Sequence, residues 1–298
     1  MELRHRILEF NNSPKFVLLK NELESLGCNY LFIENQSLSS IEYTVSENDP
    51  LFKTLLSFSK AHDLYVQSAL YYSEEEIDNA EWVVCEVGEF QYPQPEENFK
   101  EVTYDLSNYC RSCGIGKIQN SSFRLKKDFT QKKLTLFGLH GVFDEIFVRP
   151  DIVKLFKKEG ISGISFTDVI HHKTDRVIDD LSQMKVNTII EPGLNIDNLF
   201  RVTCKSQNEE SYIEGIGQIK DKPGYTFCGR VKYHYPIMEP LQLKASVLQD
   251  QPDFVKSYEY YGSGHAAQRF ILARKRIVRL LSENNIRGLG FRRPVHLV

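Results

Sequence analysis

The sequence predicts an α+β protein built from a ferredoxin-like βαββαβ unit and a mixed-sheet α+β domain with a zinc-knuckle-like cysteine pair. Three observations support this prediction. The first hundred residues alternate β-type runs with two helical segments. The stretch YPQPEEN, at 92–98, then breaks the pattern, as a linker or long turn does. Beyond it, further strand-like runs accompany a C-x-x-C-G motif. We therefore predict an acidic domain over 1–98 and a second domain over 99–298.

The elements of the first domain follow in a regular order. LRHRILEF is typical of a strand, and Ser13 with Pro14 is typical of a helix start, as cap and first-turn residue. The helical segment FVLLKNELES ends at Gly27, and YLFIE and SIEYTV are the next two β-type runs. Asp49 with Pro50 begins the second helix, LFKTLLSFSKAHD, and LYVQSALYY and EWVVCEV follow as strands. This order is that of a ferredoxin-like unit.

The second domain is predicted as a mixture of strands and helices. NTIIEP, LFRVTCK and GRVKYHY are strand-like. LFKKEGISGISF, at 155–166, is echoed by LLSENNIRGLGF, at 280–291, which indicates two similar helix-to-strand connections in which glycine lets the backbone pass closely. Their helices are expected to begin near Arg149 and near Ser263, with Ser263 as the N-cap of a long basic C-terminal helix.

Composition and charge narrow the class of protein. The chain of 298 residues is 41% hydrophobic and 26% charged, enough for one large or two ordinary soluble domains. It has no apolar run long enough to cross a membrane and no apolar segment after the basic start, so we expect a cytoplasmic protein. Residues 1–100 hold 18 Asp and Glu against 7 Lys and Arg, whereas 265–298 hold eight Arg and Lys against one Glu. Such polarity indicates charged partners or oppositely charged domains.

The motif Cys110-Arg-Ser-Cys113-Gly114 carries the sharpest chemical signal. Two thiolates at this spacing can reach one metal ion, and the glycine permits the tight turn around sulfur. Structural zinc needs four ligands, and YTFCGRVKY at 225–233 offers Cys228 before a glycine, with Tyr225 where a second cysteine is expected. We therefore predict a zinc site formed by Cys110, Cys113 and Cys228, with Cys204 or His234 as the fourth ligand.

Two other interpretations of the cysteines remain open from the residues alone. The site has lost its metal and the thiols are packed together, or the C-x-x-C pair is a redox pair, although the βαβ setting expected for the latter is absent. Cys28 and Cys85 lie in apolar stretches and are expected to be core residues.

The motifs over roughly 100–298 resemble the double-CXXCG-motif family, the immunity proteins of bacterial polymorphic toxin systems. Cys110, Cys113 and Gly114 match the first motif, and Cys228 and Gly229 match half of the second. KEGISGISFTDV fits the middle segment of the family, and GLGFRRPVHLV fits its end. The resemblance implies a structural zinc ion and a protein that binds and neutralises a cognate toxin by occlusion. Tyr225 departs from the pattern, which bears on the four-sulfur site.

An acidic cluster in SEEEIDNAEWVVCEVGEF is the predicted partner surface. Immunity proteins against nucleases often present carboxylates that imitate a phosphate backbone and steer association. Trp82 lies beside the carboxylates as a candidate anchor. The predicted partner-binding residues are Glu74, Glu75, Glu76, Asp78 and Trp82.

The alternative function is that of a zinc-ribbon-like nucleic-acid-binding protein that uses the basic C-terminal helix. The candidate phosphate ligands there are Arg269, Arg276, Arg279, Arg292 and Arg293. Such charge runs are more often solvated faces, and the acidic first domain is a ready intramolecular complement.

No known catalytic constellation appears in the sequence. It contains no G-x-S-x-G, no H-E-x-x-H and no Walker motif. His171 and His172, with Asp168 and Asp175 nearby, are the only candidates for acid–base chemistry, and neighbouring histidines on a strand face opposite ways. We therefore expect a binding protein and not an enzyme.

Overall fold

The computed structural model describes residues 1–34, 39–90, 98–128, 135–139, 141–197, 199–205, 227–236, 240–286 and 288–298. The chain forms two compact units, Met1–Glu76 and, in the main, Ile77–Pro236 with Leu241–Val298. Both units combine helices with sheets, so the predicted α+β class is confirmed. No helix in the described ranges has the length and apolar character needed to cross a membrane.

The first unit has the predicted element order β-α-β-β-α-β. Its strands have the sheet order β2-β3-β1-β4, and every neighbouring pair is antiparallel. Alternation in β1 turns Ile7 to the core, where it packs with Leu19, Ile41 and Leu55. The elements are β1 (Glu2–Phe10), α1 (Lys15–Ser25), β2 (Leu31–Ile33), β3 (Ser40–Ser46), α2 (Phe52–Ala61) and β4 (Tyr65–Tyr71). Helix α3 (Glu74–Asn79) follows.

The second unit contains two large sheets. Its strands are β5 (Trp82–Val87), β6 (Glu89–Phe90), β7 (Tyr104–Asp105), β8 (Ile118–Gln119), β9 (Arg124–Leu125), β10 (Leu136–Leu139), β11 (Val142–Val148), β12 (Ile164–His171), β13 (Val177–Val186), β14 (Arg201–Thr203), β15 (Val231–Tyr233), β16 (Leu241–Leu243), β17 (Phe254–Tyr261), β18 (Gln268–Arg274) and β19 (Leu289–Leu297). Its helices are α4 (Phe99–Thr103), α5 (Pro150–Lys158), α6 (Ala245–Leu248) and α7 (Lys275–Glu283). One sheet has the order β6-β10-β11-β13-β12-β9 and the other the order β14-β15-β17-β18-β5-β19-β16.

The two sheets contain an internal structural repeat. In each, an antiparallel hairpin is followed by a helix and a strand: β10-β11-α5-β12 in one and β17-β18-α7-β19 in the other. In each sheet, a strand from elsewhere in the chain lies between the hairpin and the final strand of the unit and pairs antiparallel with both. This strand is β13, between β11 and β12, in one sheet and β5, between β18 and β19, in the other. The echo between 155–166 and 280–291 therefore marks two copies of one supersecondary unit.

The two copies also share their turn chemistry. Each helix ends in a Schellman-type turn with one left-handed residue, Gly160 (φ +60°) after α5 and Asn285 (φ +53°) after α7. Gly163 and Gly288 open the following strands with positive φ. A Cβ on Gly163 would overlap the carbonyl oxygen of Phe254, the first residue of β17, and a Cβ on Gly288 would overlap that of Leu136, the first residue of β10. Each copy thus packs closely on the start of the other.

Strand β5 lies inside the second unit, although the sequence analysis assigned EWVVCEV to the first domain. It pairs with both β18 and β19, and its residues Trp82 to Cys85 are all buried. Consecutive apolar residues are typical of a central strand that is covered on both faces. In a strand with one face in water, apolar and polar residues alternate instead.

Two further predictions of secondary structure were wrong. The long basic C-terminal helix begins only at Lys275, because Gln268–Arg274 form β18. The central residues of β18, from Phe270 to Ala273, are all buried. A short apolar run of this kind fits a helix as well as a central strand, and here it forms a strand. NTIIEP contributes a single bridge, between Ile189 and Lys256, and no strand.

Candidate metal centre

The first half of the candidate site is a tight turn between β7 and β8. The Gly114 N–H donates to the Cys110 carbonyl at 2.7 Å, and the Cys110 N–H donates to the Ile115 carbonyl at 2.9 Å. Gly114 has a φ of +81°, and a Cβ there would overlap the carbonyl oxygen of His265 in the β17–β18 turn. The glycine of the motif is therefore required by conformation and by space, and both cysteines are buried.

The second half is formed by neighbouring strands and contains no second C-x-x-C. Cys204 directly follows β14, and Cys228 precedes β15. The Cys204 N–H donates to the Arg230 carbonyl at 2.9 Å, and the Gly229 N–H donates to the Cys204 carbonyl at 2.9 Å. The cysteine that is absent at Tyr225 is thus replaced by one from the adjacent strand.

The four thiols meet in one cluster. All four sulfur atoms lie within 4.8 Å of one another, with Cys110 and Cys204 at 3.7 Å and Cys113 and Cys228 at 3.6 Å. In a tetrahedral zinc site with Zn–S bonds of about 2.3 Å, the sulfur–sulfur edge is about 3.8 Å. A disulfide bond is about 2.05 Å long, so these contacts are not disulfides. The residues therefore could hold a metal ion.

Two cations accompany the sulfur cluster. The Arg230 Nε donates to the Cys228 sulfur at 3.2 Å, and its Nη2 donates to the Asn108 carbonyl at 2.6 Å. Lys232 is 2% exposed, and its ammonium group donates to the carbonyls of Cys113 at 3.2 Å and Ala266 at 2.8 Å, and also to that of Gly264. These bonds connect β15 to the first turn and to the β17–β18 hairpin.

The thiols differ in acidity according to their surroundings. Burial raises the pKa of Cys113 and of Cys204. Burial also opposes ionisation of Cys228, but the backbone N–H and the guanidinium of Arg230 lower its pKa to about 7. The pKa of Lys232 is lowered by burial, and the neighbouring cysteines offset only part of this shift. Cys228 is thus more readily ionised than Cys113 and Cys204, and it is the only exposed cysteine of the cluster.

The structure places the remaining candidate ligands away from the sulfurs. His234, the alternative fourth ligand, is exposed, and its ring packs edge-on against Phe200 at 4.9 Å. Cys85 is buried in the main core and Cys28 packs on the core of the first unit. The set Cys110, Cys113, Cys204 and Cys228 is the one that the geometry brings together.

The predicted partner surface is only partly available to a partner. Glu74, Glu75 and Asp78 are exposed on α3, and Glu76 accepts a hydrogen bond from the Ser73 N–H at 2.8 Å. Trp82 is fully buried, with the guanidinium of Arg274 4.7 Å above its ring. Its prediction as an anchor is wrong, because a central strand directs it into the core.

Most of the basic C-terminal candidates are engaged within the protein. Arg276 pairs with the buried Asp253, Arg293 donates to the Pro236 carbonyl, and Arg269 donates to the Ser257 carbonyl at 2.8 Å. Arg279 is exposed, and the side chain of Arg292 lies outside the described part of the chain.

The histidine pair lies at the end of β12, where His171 is the last strand residue and His172 begins the turn. The His171 and His172 rings are 5.8 Å apart, and the Lys173 N–H donates to the His171 ring at 3.3 Å. Asp175 pairs with Arg124 at 2.5 Å instead of with a histidine. Among the described residues, no carboxylate forms an ion pair with the His171 ring.

Sequence reasoning missed Arg230 and Lys232, although a signal was present. In CGRVKYH, the two positive side chains Arg230 and Lys232 stand two and four residues after Cys228. Cationic residues this close to a candidate ligand cysteine are the signal that the sequence offered.

Neither a known protein-family model nor a curated protein matches this chain.

Proposed function

We propose that Cys110, Cys113, Cys204 and Cys228 bind one zinc ion. The observation that carries this proposal is the pair of sulfur contacts at 3.7 Å and 3.6 Å, close to the edge of a zinc–thiolate tetrahedron. They join the first turn to the β14–β15 strands, whereas a thioredoxin-type redox pair would act within the C-x-x-C motif.

The role of this ion is structural. Four protein thiolates fill a tetrahedral zinc ion, which leaves no position for substrate or water. The ion joins two parts of the chain separated by roughly a hundred residues, and closing such a loop contributes a few kcal/mol of chain-entropy stabilisation.

On this framework, we propose a cytoplasmic immunity-type protein that binds a cognate bacterial toxin by occlusion and has no catalytic activity. The support is the family resemblance over 100–298, whose four-ligand requirement the cysteine cluster meets despite Tyr225. The exposed carboxylates of α3 offer the electrostatic part of a partner surface. For the first unit we infer a ferredoxin-like topology, supported by the sheet order β2-β3-β1-β4.

Elemental analysis of the purified protein tests the metal. We expect about one zinc ion per chain, loss of it in Cys110→Ser, and retention in Cys28→Ser, whose thiol packs on the first unit's core. Wild-type protein purified with zinc in the medium but containing none would refute the site.

Coexpression with the product of the neighbouring gene tests the partner. We expect a stable 1:1 complex that protects cells from that product. Recovery of polynucleotide with the protein, in a salt-sensitive manner, would instead support nucleic-acid binding.

A further inference from the structure

We infer that Arg230 and Lys232 are built-in counter-ions of the metal centre and that they set its affinity for a divalent ion. This inference rests on the proposed metal function. It concerns two residues that do not ligate the metal but that contact ligand residues directly: Arg230 donates to the Cys228 sulfur, and Lys232, on β15, donates to the Cys113 carbonyl.

Lys232 shows the need for a counter-charge. Its ammonium group is almost completely buried, and every partner that it has is a backbone carbonyl, from Cys113, Gly264 and Ala266. Within the described ranges, no carboxylate lies within ion-pair distance of its Nζ. Carbonyls satisfy the N–H donors, but they carry no net charge, and buried charges in proteins are paired or bound to metals.

The sulfur cluster supplies this negative charge when its four thiolates bind a divalent metal ion. Four thiolates around a divalent ion carry two negative charges, and Lys232 and Arg230 carry two positive ones. The ion, its ligands and these two side chains thus form a neutral group. Without a metal, the thiol most exposed to a cation, Cys228, already faces Arg230, and Lys232 would lack a counter-charge of its own. The surroundings of the site therefore match its metal-bound form.

Arg230 acts on one ligand in particular. Its Nε donates directly to the Cys228 sulfur, and its Nη2 is anchored on the Asn108 carbonyl. A hydrogen bond from a cation withdraws electron density from a thiolate and shields it from electrophiles. Cys228 is the exposed ligand, so it is the one that requires this protection.

The two residues differ in the size of effect expected. Lys232 is buried, where its charge is poorly screened, whereas Arg230 is partly accessible to water. Zinc affinity, measured by competition with a chelator on the full chain, should fall by about 10- to 100-fold in Lys232→Met and by less in Arg230→Met. Arg201→Met, an exposed arginine on β14, serves as the matched control and should leave it unchanged.

A spectroscopic readout separates counter-ion chemistry from simple support of the fold. With Co²⁺ in place of zinc, loss of the cation should raise the energy of the sulfur electrons. The sulfur-to-cobalt charge-transfer band should therefore move to lower energy in Arg230→Met, and Arg230→Lys should restore most of the shift. If Lys232→Met does not fold, the Arg230 pair decides the question.

The outcomes are distinguishable. Wild-type protein that binds neither Zn²⁺ nor Co²⁺ refutes the metal site itself. Metal binding by the wild type, with the same affinity and the same cobalt band in both methionine variants, overturns the counter-ion inference and leaves the zinc site standing.

Discussion

The two glycines that follow cysteines of the sulfur cluster provide a matched test of the proposed site. Gly114 and Gly229 have similar backbone conformations, with φ of +81° and +72°. Their surroundings differ, because a Cβ on Gly229 would meet nothing within 4 Å. A Cβ on Gly114 would overlap the His265 carbonyl oxygen and would lie 3.1 Å from the Ala267 nitrogen. Replacing each by alanine therefore separates conformational cost from steric cost.

The magnitudes follow from these surroundings. Alanine at a positive φ costs about 1 kcal/mol of unfolding free energy, and both variants should show this loss. Gly114→Ala must in addition displace the β17–β18 turn, which also supplies the carbonyls of Gly264 and Ala266 to Lys232. Overpacking of this kind typically costs a further 1–3 kcal/mol, so the total for Gly114→Ala is about 2–4 kcal/mol.

Urea unfolding of the zinc-loaded proteins measures these differences, and transfer of zinc to a chromogenic chelator reports the site directly. We expect Gly229→Ala to keep zinc about as well as the wild type and Gly114→Ala to release it much faster. Equal losses of stability in the two variants would show that the turn does not pack on the hairpin as described.

Three further outcomes are expected. Gly163→Ala and Gly288→Ala should each lower the free energy of unfolding in urea by about 2–4 kcal/mol, because the new Cβ would overlap a backbone carbonyl. The control Gly27→Ala, whose Cβ would meet nothing within 4 Å, should cost about 1 kcal/mol. Similar values for all three variants would contradict the reciprocal packing of the two copies. Burial opposes ionisation of Asp253, but Arg276 and other hydrogen-bond donors lower its pKa below 3.8. The stability lost in Asp253→Asn should thus be fully present above pH 3.8 and shrink as the pH falls through the folded-state pKa, and a pH-independent difference would refute that pairing. A strong chelator should lower the midpoint of thermal unfolding of the wild type but not that of Cys110→Ser, and an equal effect on both would argue against a stabilising ion.

The sequence allowed three members of the sulfur cluster to be predicted, because their spacing and their neighbouring glycines indicated them. Cys110 and Cys113 stand at metal-ligand spacing, and Cys228 precedes a glycine as Cys113 does. The choice between Cys204 and His234 could not be made from the residues, since it depends on the register of β14 against β15. That register brings Cys204 opposite Arg230 and leaves His234 beside Phe200.

The mispredicted elements are those whose place or conformation depends on tertiary contacts. Residues 82–87 pair with β18 and β19, which lie far away in the sequence, so the local pattern did not show which sheet they join. Residues 268–274 pair with β17 and with the distant β5, and their short run of consecutive apolar residues fits a helix as well as a buried strand. The first unit was predicted more fully because its helices and hairpins connect neighbouring segments.

The position of β5 in its sheet has a consequence for synthesis of the chain on the ribosome. This strand is synthesised long before its two neighbours in the sheet, β18 and β19. Until then, the apolar run WVVCEV has no native partner on either edge, and it resembles the exposed strands that chaperones hold. The second unit therefore completes its folding only after β18 and β19 have emerged, and nascent chains halted before β18 are expected to be targets of quality control.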